Sequence, residues 1–397
     1  MRGLSGMYEA KSDRAWKQEF FCQRNMTIGF ETFAERLIGW QRQHGRKGLP
    51  WQNTRDPYRV WLSEIMLQQT QVATVVAYYS RFLQMFPSVL DLANASEDAV
   101  LAQWSGLGYY SRARNLHRCA QMVRDRYAGI FPGSKTALEQ LPGIGSSTAA
   151  AIAAFCFGEQ TLIFDANVQR VMSRVFACDK DMSRSANRRE LWYAAEHTMP
   201  ALEPASTLAG RMVAYTQGLM DLGATVCLPR QPACERCPVA GLCQARAQGR
   251  PLAYPVKTGK LKRTAETWWL LALVHAPEKG DESGSKLWLQ KRPQPGIWGG
   301  LHCLPVLHSE AAWRQLVQQL HDAAVGVQSC TEHAPIKHVL THKDLMLHPV
   351  VVRVADAAAC TQTLASSLPG GWQAHWADVG LPAPVRKWLD AHLASFV

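Results

Sequence analysis

From Gly29 to about Ala245, apolar residues recur three and four positions apart, the spacing that lines one face of a helix. The stretches FETFAERLIGWQRQHG, YRVWLSEIMLQQTQVATVVAYYSRFLQMF, EDAVLAQW, YYSRARNLHRCAQMVRDRYAG and ASTLAGRMVAYTQGLMDLG all carry it. Pro50, Pro57, Pro87, Pro132 and Pro142, with Gly45, Gly106, Gly108 and Gly129, fall where such helices should stop. The pattern predicts an all-helical region of about ten short helices. After Thr267 the period shortens: TWWLLALVHA, KLWLQKRP and LMLHPVVVRVAD read as strands, while SEAAWRQLVQQLHDAA and APVRKWLDAHLASF read as helices. Between the two regimes, RAQGRPLAYPVKTGKLKRTAE is rich in Pro, Gly and basic residues, as an exposed connector would be. The expected organisation is a mainly α chain. Residues 1–28 form an extension, 29–245 a helical domain, 246–266 a linker and 267–397 a smaller α+β domain.

Composition narrows the compartment and the partner. The 397 residues are 47% hydrophobic and 19% charged, an ordinary globular balance. A formal net charge of +11 favours a polyanionic partner. The amino terminus has no apolar run long enough for a signal-peptide core, and no stretch approaches the roughly 20 apolar residues that span a bilayer, so a soluble cytosolic protein without a membrane partner is expected. In that reducing setting eleven cysteines argue for metal ligation over a disulfide framework. Four of them, Cys227, Cys234, Cys237 and Cys243, have six, two and five residues between successive members, in a segment carrying Pro229, Pro232, Pro238 and Gly241. Neither helix nor strand periodicity accommodates that spacing, so the thiols must converge. A zinc ion, an iron-sulfur cluster and disulfides all remain open on spacing alone.

Three further stretches carry chemistry. In LPGIGSSTAAAIAAF, Gly143 and Gly145 form a tight hairpin before a small-residue helix whose first amides could receive a phosphate; an ordinary helix-helix turn would look the same. Twenty positions after Gly145 comes Asp165, at the start of another helix, where an aspartate ordinarily serves as N-cap. Glu64 sits in a helical stretch beside Val60, Trp61, Ile65 and Leu67. A helical glutamate is ordinarily solvated, but an apolar setting raises a carboxyl pKa toward that of a general acid. Two carboxylates in unlike environments suit glycosidic hydrolysis, one protonating the leaving group and one stabilising a cationic sugar.

Taken together, the LPGIG hairpin, Asp165 and the cysteine spacing resemble the helix-hairpin-helix DNA glycosylase superfamily, in its iron-sulfur branch. VWLSEIMLQQTQVATV and WSGLGYYSRARNL resemble, more narrowly, the MutY-type adenine DNA glycosylases, which remove adenine mispaired with 8-oxoguanine or guanine from double-stranded DNA. The resemblance implies that the four cysteines hold one 4Fe-4S cluster, whose loop presents Arg230, Arg236 and Arg246 to phosphates. It implies Glu64 as the acid that protonates adenine and Asp165 as the carboxylate that stabilises or traps the sugar cation. Asn167 matches an active-site asparagine, Gln69 and Tyr109 match residues that insert into the duplex, and Trp51, Leu67 and Gln217 match the lining of the adenine pocket. Ala166 replaces a frequent glycine. The resemblance also implies a monomer on DNA.

Ser147 stands where bifunctional relatives carry a Schiff-base lysine, so a monofunctional enzyme leaving an abasic site is expected. The carboxy-terminal region resembles a Nudix-like lesion-recognition domain through KRPQPGIWGGLHCLP, with Leu340, Thr341 and His342 in place of the family's Phe-Ser-His loop. The competing readings are a glycosylase-lyase acting on oxidised pyrimidines and a non-catalytic iron-sulfur DNA-binding module.

Overall fold

A computed structural model describes residues 30–201, 205–259, 262–275, 285–365 and 367–393. The expected extension at 1–28 lies outside them. By density of contact the chain forms two compact units, one of Met1–Lys47 with Ala149–Thr258, the other of Gly48–Thr148 with Gly259–Val397.

In the first unit, α1 (Phe30–His44) packs on the later helix α11 (Ala205–Asp221). Their shared core contains Phe33, Leu37, Met212, Tyr215 and Leu219, joined by Val168, Val171 and Met172 of α9 (Ala166–Val175) and Leu191 of α10 (Ser185–Glu196). At the carboxy end of α11 the helix widens to a π turn over Leu222–Val226, Cys227 follows directly, and the short α12 (Gln244–Ala247) begins just after Cys243. The connector expected to be exposed is partly anchored. Tyr254 is buried with Ala177 and Ala245, Met182 N–H donates to the Val256 carbonyl at 2.9 Å, and the Thr258 hydroxyl donates to Asp181. Its single large aromatic has apolar area to bury, which the Pro/Gly count concealed.

The second unit combines helices and a sheet. Its helices are α2 (Pro57–Leu67), α3 (Val72–Met85), α4 (Val89–Asn94), α5 (Glu97–Trp104), α6 (Ser111–Tyr127) and α7 (Lys135–Leu138). The remaining helix, α8 (Ser146–Phe157), starts in this unit and ends in the other. Trp61 packs on Phe131 at 5.2 Å between ring centroids, and Phe82 packs on Trp104 at 6.1 Å. Residues 58–86 had the pattern of one long helix, but the chain breaks at Gln68–Gln71, where Gln69 takes φ 57°. No Pro or Gly announces the break.

The sheet runs β3 (His302–Cys303), β2 (Lys286–Lys291), β1 (Thr264–His275), β7 (Lys343–Val354), β5 (Val327–Glu332), with β4 (Val306–Leu307) also on β1; β1 and β7 are parallel over twelve residue pairs and the other pairings antiparallel. Helices α13 (Glu310–Asp322) and α14 (Ala357–Leu364) contribute Trp313, Leu316, Leu320, Cys360 and Leu364 to a core with Leu271, Trp288 and Val350. Pro349 lies inside β7, where a missing N–H would ordinarily break a ladder. It escapes because β7 changes partner there: β6 (Ile336–Val339) pairs with residues 344–347 and β5 (Val327–Glu332) with 350–354. Thr341 and His342 are exposed in the turn joining β6 to β7.

Candidate functional site

Glu64 lies in the third turn of α2, which Asp56 caps by accepting the Tyr58 N–H at 2.9 Å and which Pro57 begins. Val60, Trp61, Leu62, Ile65 and Met66 of the same helix are buried, and Glu64 is half-buried among them. Trp51 packs edge-on to Tyr79 with centroids 5.4 Å apart, and Leu67, half-buried, ends α2. Gln69 is exposed; Tyr109, 46% exposed, has φ 50°. In the hairpin, Gly143 has φ 78° and an added Cβ would stand 2.7 Å from that of Asn115, so only glycine fits. A Cβ on Gly145 would meet nothing within 4 Å, leaving its backbone open to approach. Ser147 follows in the first turn of α8, half-buried. These residues, with Thr341 and His342, all belong to the second unit.

The first unit holds Asp165, Asn167, Gln217 and the four cysteines. Asp165 is indeed the N-cap of α9: Oδ1 accepts the Val168 N–H at 2.7 Å, while Oδ2 accepts from Asn167 Nδ2 at 3.3 Å. Capping and chemistry are compatible, because capping occupies one carboxylate oxygen and orients the other. Exposed Ala166 takes the first helical position without disturbing the cap. Gln217 Nε2 donates to Asp221 Oδ1 at 2.9 Å; Asp221 is fully buried and also accepts Arg46 N–H at 3.0 Å and Arg46 Nε at 2.7 Å.

Composition did not reveal the buried arginines of α9. Arg170 donates to Asn167 Oδ1 at 2.9 Å, the Gly223 carbonyl at 2.7 Å and the Cys227 carbonyl at 2.9 Å. One turn on, Arg174 donates to the carbonyls of Leu228, Pro229 and Tyr254 and to Cys227 Sγ at 3.3 Å, and the Cys243 thiol donates to the Arg174 carbonyl at 3.4 Å. The helix that begins at Asp165 is thus bonded along its length to the cysteine loop. The only sequence signal was their spacing: arginines four apart in a helix share a face.

The four cysteines line one cavity with Val171, Leu222 and Arg174. Thiols arranged around a cavity suit a multi-iron cluster better than the single zinc that spacing left open. Burial pushes the Cys237 thiol up to about 12 and the Cys243 thiol upward, with the neighbouring cysteines adding repulsion. Cationic iron supplies the counter-charge that such thiolates require. None of the four is disulfide-bonded. Arg230, Arg236 and Arg246 around the loop are exposed, and Arg246 pairs with Glu235 at 3.6 Å.

Fold and thiols together define an iron-sulfur base-excision DNA repair protein. Residues 62–197 match the HhH-GPD superfamily of base excision DNA repair proteins, 227–243 the iron-sulfur binding domain of endonuclease III, and 281–391 the NUDIX domain. The chain is 32% identical over 359 residues to adenine DNA glycosylase of Buchnera aphidicola subsp. Baizongia pistaciae (strain Bp), covering 89% of this chain and 95% of the relative. It is 42% identical over 382 residues to the Mus musculus adenine DNA glycosylase, covering 83% and 72% respectively. A solved thermostable thymine-DNA glycosylase is 28% identical with a TM-score of 0.48, covering 55% of this chain and 97% of that one. The chain belongs to the adenine DNA glycosylase family, and its cofactor is a 4Fe-4S cluster.

Proposed function

We propose that this protein removes adenine from double-stranded DNA where adenine stands opposite 8-oxoguanine or guanine, hydrolysing the N-glycosidic bond and leaving an abasic site. The observation that carries this reading is identity to adenine DNA glycosylases along nearly the whole chain, the carboxy-terminal region included. Residues 29–245 would form the glycosylase domain and 267–397 the lesion-recognition domain, joined by 246–266. Glu64, half-buried on an apolar helix, protonates a ring nitrogen of the extruded adenine and so makes it a neutral leaving group. The sugar cation that forms is stabilised by Asp165 Oδ2, which Asn167 orients. Water then adds to the sugar. Trp51, Leu67 and Gln217 line the adenine pocket, Gln69 and Tyr109 enter the duplex, and the hairpin of Gly143 and Gly145 receives a backbone phosphate. Thr341 and His342 face the opposite base. Ser147 offers no amine, so no imine forms with the sugar and the strand stays intact. The iron-sulfur cluster folds the loop that carries Arg230, Arg236 and Arg246. The protein works as a monomer on nucleoid DNA in the cytosol; no helix of the described residues is long and apolar enough to cross a membrane.

Incubation with duplex containing adenine opposite 8-oxoguanine, with and without hot alkali, tests the assignment. Strand breaks only after alkali are expected; breaks without alkali would indicate a lyase, and no breaks at all would reject the substrate. Glu64→Gln should bind the mispair normally and lose excision by about a thousandfold or more, the scale of a general-acid contribution.

A further inference from the structure

Gln69 and Tyr109 lie in loops forty positions apart, yet both are exposed and both hold a left-handed backbone, φ 57° and φ 50°. A non-glycine residue adopts that conformation only where its surroundings impose it. One buried side chain touches both loops. Arg112, 8% exposed, donates through Nη1 to the carbonyls of Ile65 at 2.8 Å, Met66 at 2.9 Å and Gln68 at 2.6 Å. Through Nη2 it reaches Thr70 Oγ1 at 3.2 Å, the Gly108 carbonyl at 3.1 Å and the Leu107 carbonyl at 3.4 Å. Its guanidinium carbon also lies 5.5 Å from the centre of the Tyr109 ring. Residues 68 and 70 flank Gln69, residue 108 precedes Tyr109, and the carbonyls of 65 and 66 belong to the open end of the helix that carries Glu64.

Every one of those acceptors is neutral, and Nε is buried without a partner. Burial pulls the guanidinium down to about 10. A buried cation with no acid beside it is a poor way to stabilise a fold, and an apolar side chain of similar size would serve that end better. What the planar fork does supply is fixed geometry among three separate pieces of backbone. The Tyr109 turn is braced from behind as well. Tyr78 OH donates to the Ser105 carbonyl at 2.8 Å, and the Tyr110 hydroxyl accepts from Gly106 N–H at 3.2 Å and donates to the Leu381 carbonyl at 2.8 Å.

We propose that Arg112 is a positioning residue that locks Gln69 and Tyr109 into one rigid two-pronged wedge and joins that wedge to the end of the Glu64 helix. The inference rests on the DNA-glycosylase reading above. A wedge held in advance spends none of its binding on ordering two loops, so unstacking is driven by a preformed shape. Gln69 alone, on a free loop, would fold back toward an ordinary backbone.

The test compares two substrates in the full-length, cluster-containing protein. One is duplex with adenine opposite 8-oxoguanine; the other carries the same adenine already unstacked in a small mismatch bubble. Arg112→Lys keeps the charge and loses the fork. Its single-turnover rate should fall by about tenfold or more on the duplex and by less than about threefold on the bubble. In a Gln69→Ala/Tyr109→Ala background, Arg112→Lys should cost nothing further on the duplex. Equal losses on both substrates, additive losses in the double background, or no loss at all would overturn the proposal. Should Arg112→Lys fail to fold, Thr70→Val removes only one acceptor and should show the same ordering of substrates at smaller size. An unstacking reporter, 2-aminopurine placed at the adenine position, separates this claim from the enzymatic one. Wild-type protein should brighten it on binding and Arg112→Lys should not, whether or not adenine is released.

Discussion

Arg174 is 2% exposed and its three carbonyl acceptors come from two segments that otherwise lack regular structure, residues 228–229 and 254. Arg174→Met would leave the buried Tyr254 carbonyl unanswered and release the half-buried Leu228 and exposed Pro229 carbonyls, at a cost of roughly 1–3 kcal/mol. Because two of them directly follow Cys227, the expected outcome is a lower iron-to-protein ratio after purification and faster bleaching of the visible band in air. Full iron content in that variant would show that the loop holds its shape without the arginine. In the sequence only the four-residue spacing of Arg170 and Arg174 hints at this, and Arg112 looks like any other cation of a basic chain. Asp165 shows the opposite case, since the N-cap that its position predicts is present and leaves one oxygen free of backbone duty.

At the scale of elements, the apolar period located α1, α5, α6, α11, α13 and α15 (Ala383–His392) to within a few residues, along with the long strands β1 and β7. It failed where a break is made by distant partners instead of local residues. The turn at Gln68–Gln71 is held from α6 by Arg112, forty-odd positions away, so no window over 58–86 could contain the cause. The cysteine spacing, by contrast, was legible because ligands must converge whatever the fold around them. The end of α6 offers a prediction independent of function. Ala128 caps it with φ 51° and ψ 34°, a conformation that glycine adopts without its Cβ penalty. Ala128→Gly should therefore stabilise the protein by up to about 1 kcal/mol in a denaturant titration. A loss of stability would mean that the methyl packs well enough to outweigh the backbone strain.

For the whole molecule, acid is the condition to which this structure is most exposed. Burial lowers the pKa of His117, His302, His333 and His338 below the ordinary histidine value. In each the folded protein favours the neutral ring, so the unfolded chain takes up protons first as pH falls. Their contribution to stability is complete above the unfolded value near 6.5 and is lost progressively below it. Thermal melts should therefore be flat from about pH 8 to 7 and fall steadily toward pH 5. His117→Gln should flatten that slope. Asp181 responds later in the same direction: hydrogen bonds from the Thr258 and Ser183 hydroxyls hold it well below the usual carboxylate range, and that stabilisation disappears only in stronger acid.

The pairing of α1 with α11 also constrains how the protein is made. Arg46, just after α1, bonds to Asp221, 175 positions later, and the apolar face of α1 is buried against residues of the same late helix. At synthesis rates of about 5–20 residues per second those partners leave the ribosome roughly ten to thirty seconds after α1 does. For that interval Phe33, Leu37 and Ile38 have no core to enter, while the helices from α2 to α7 can already fold on one another. Among the described helices α1 is thus the first to be synthesised and one of the last to be buried, a sequence of events that favours chaperone capture of the nascent chain and slow refolding of the free protein.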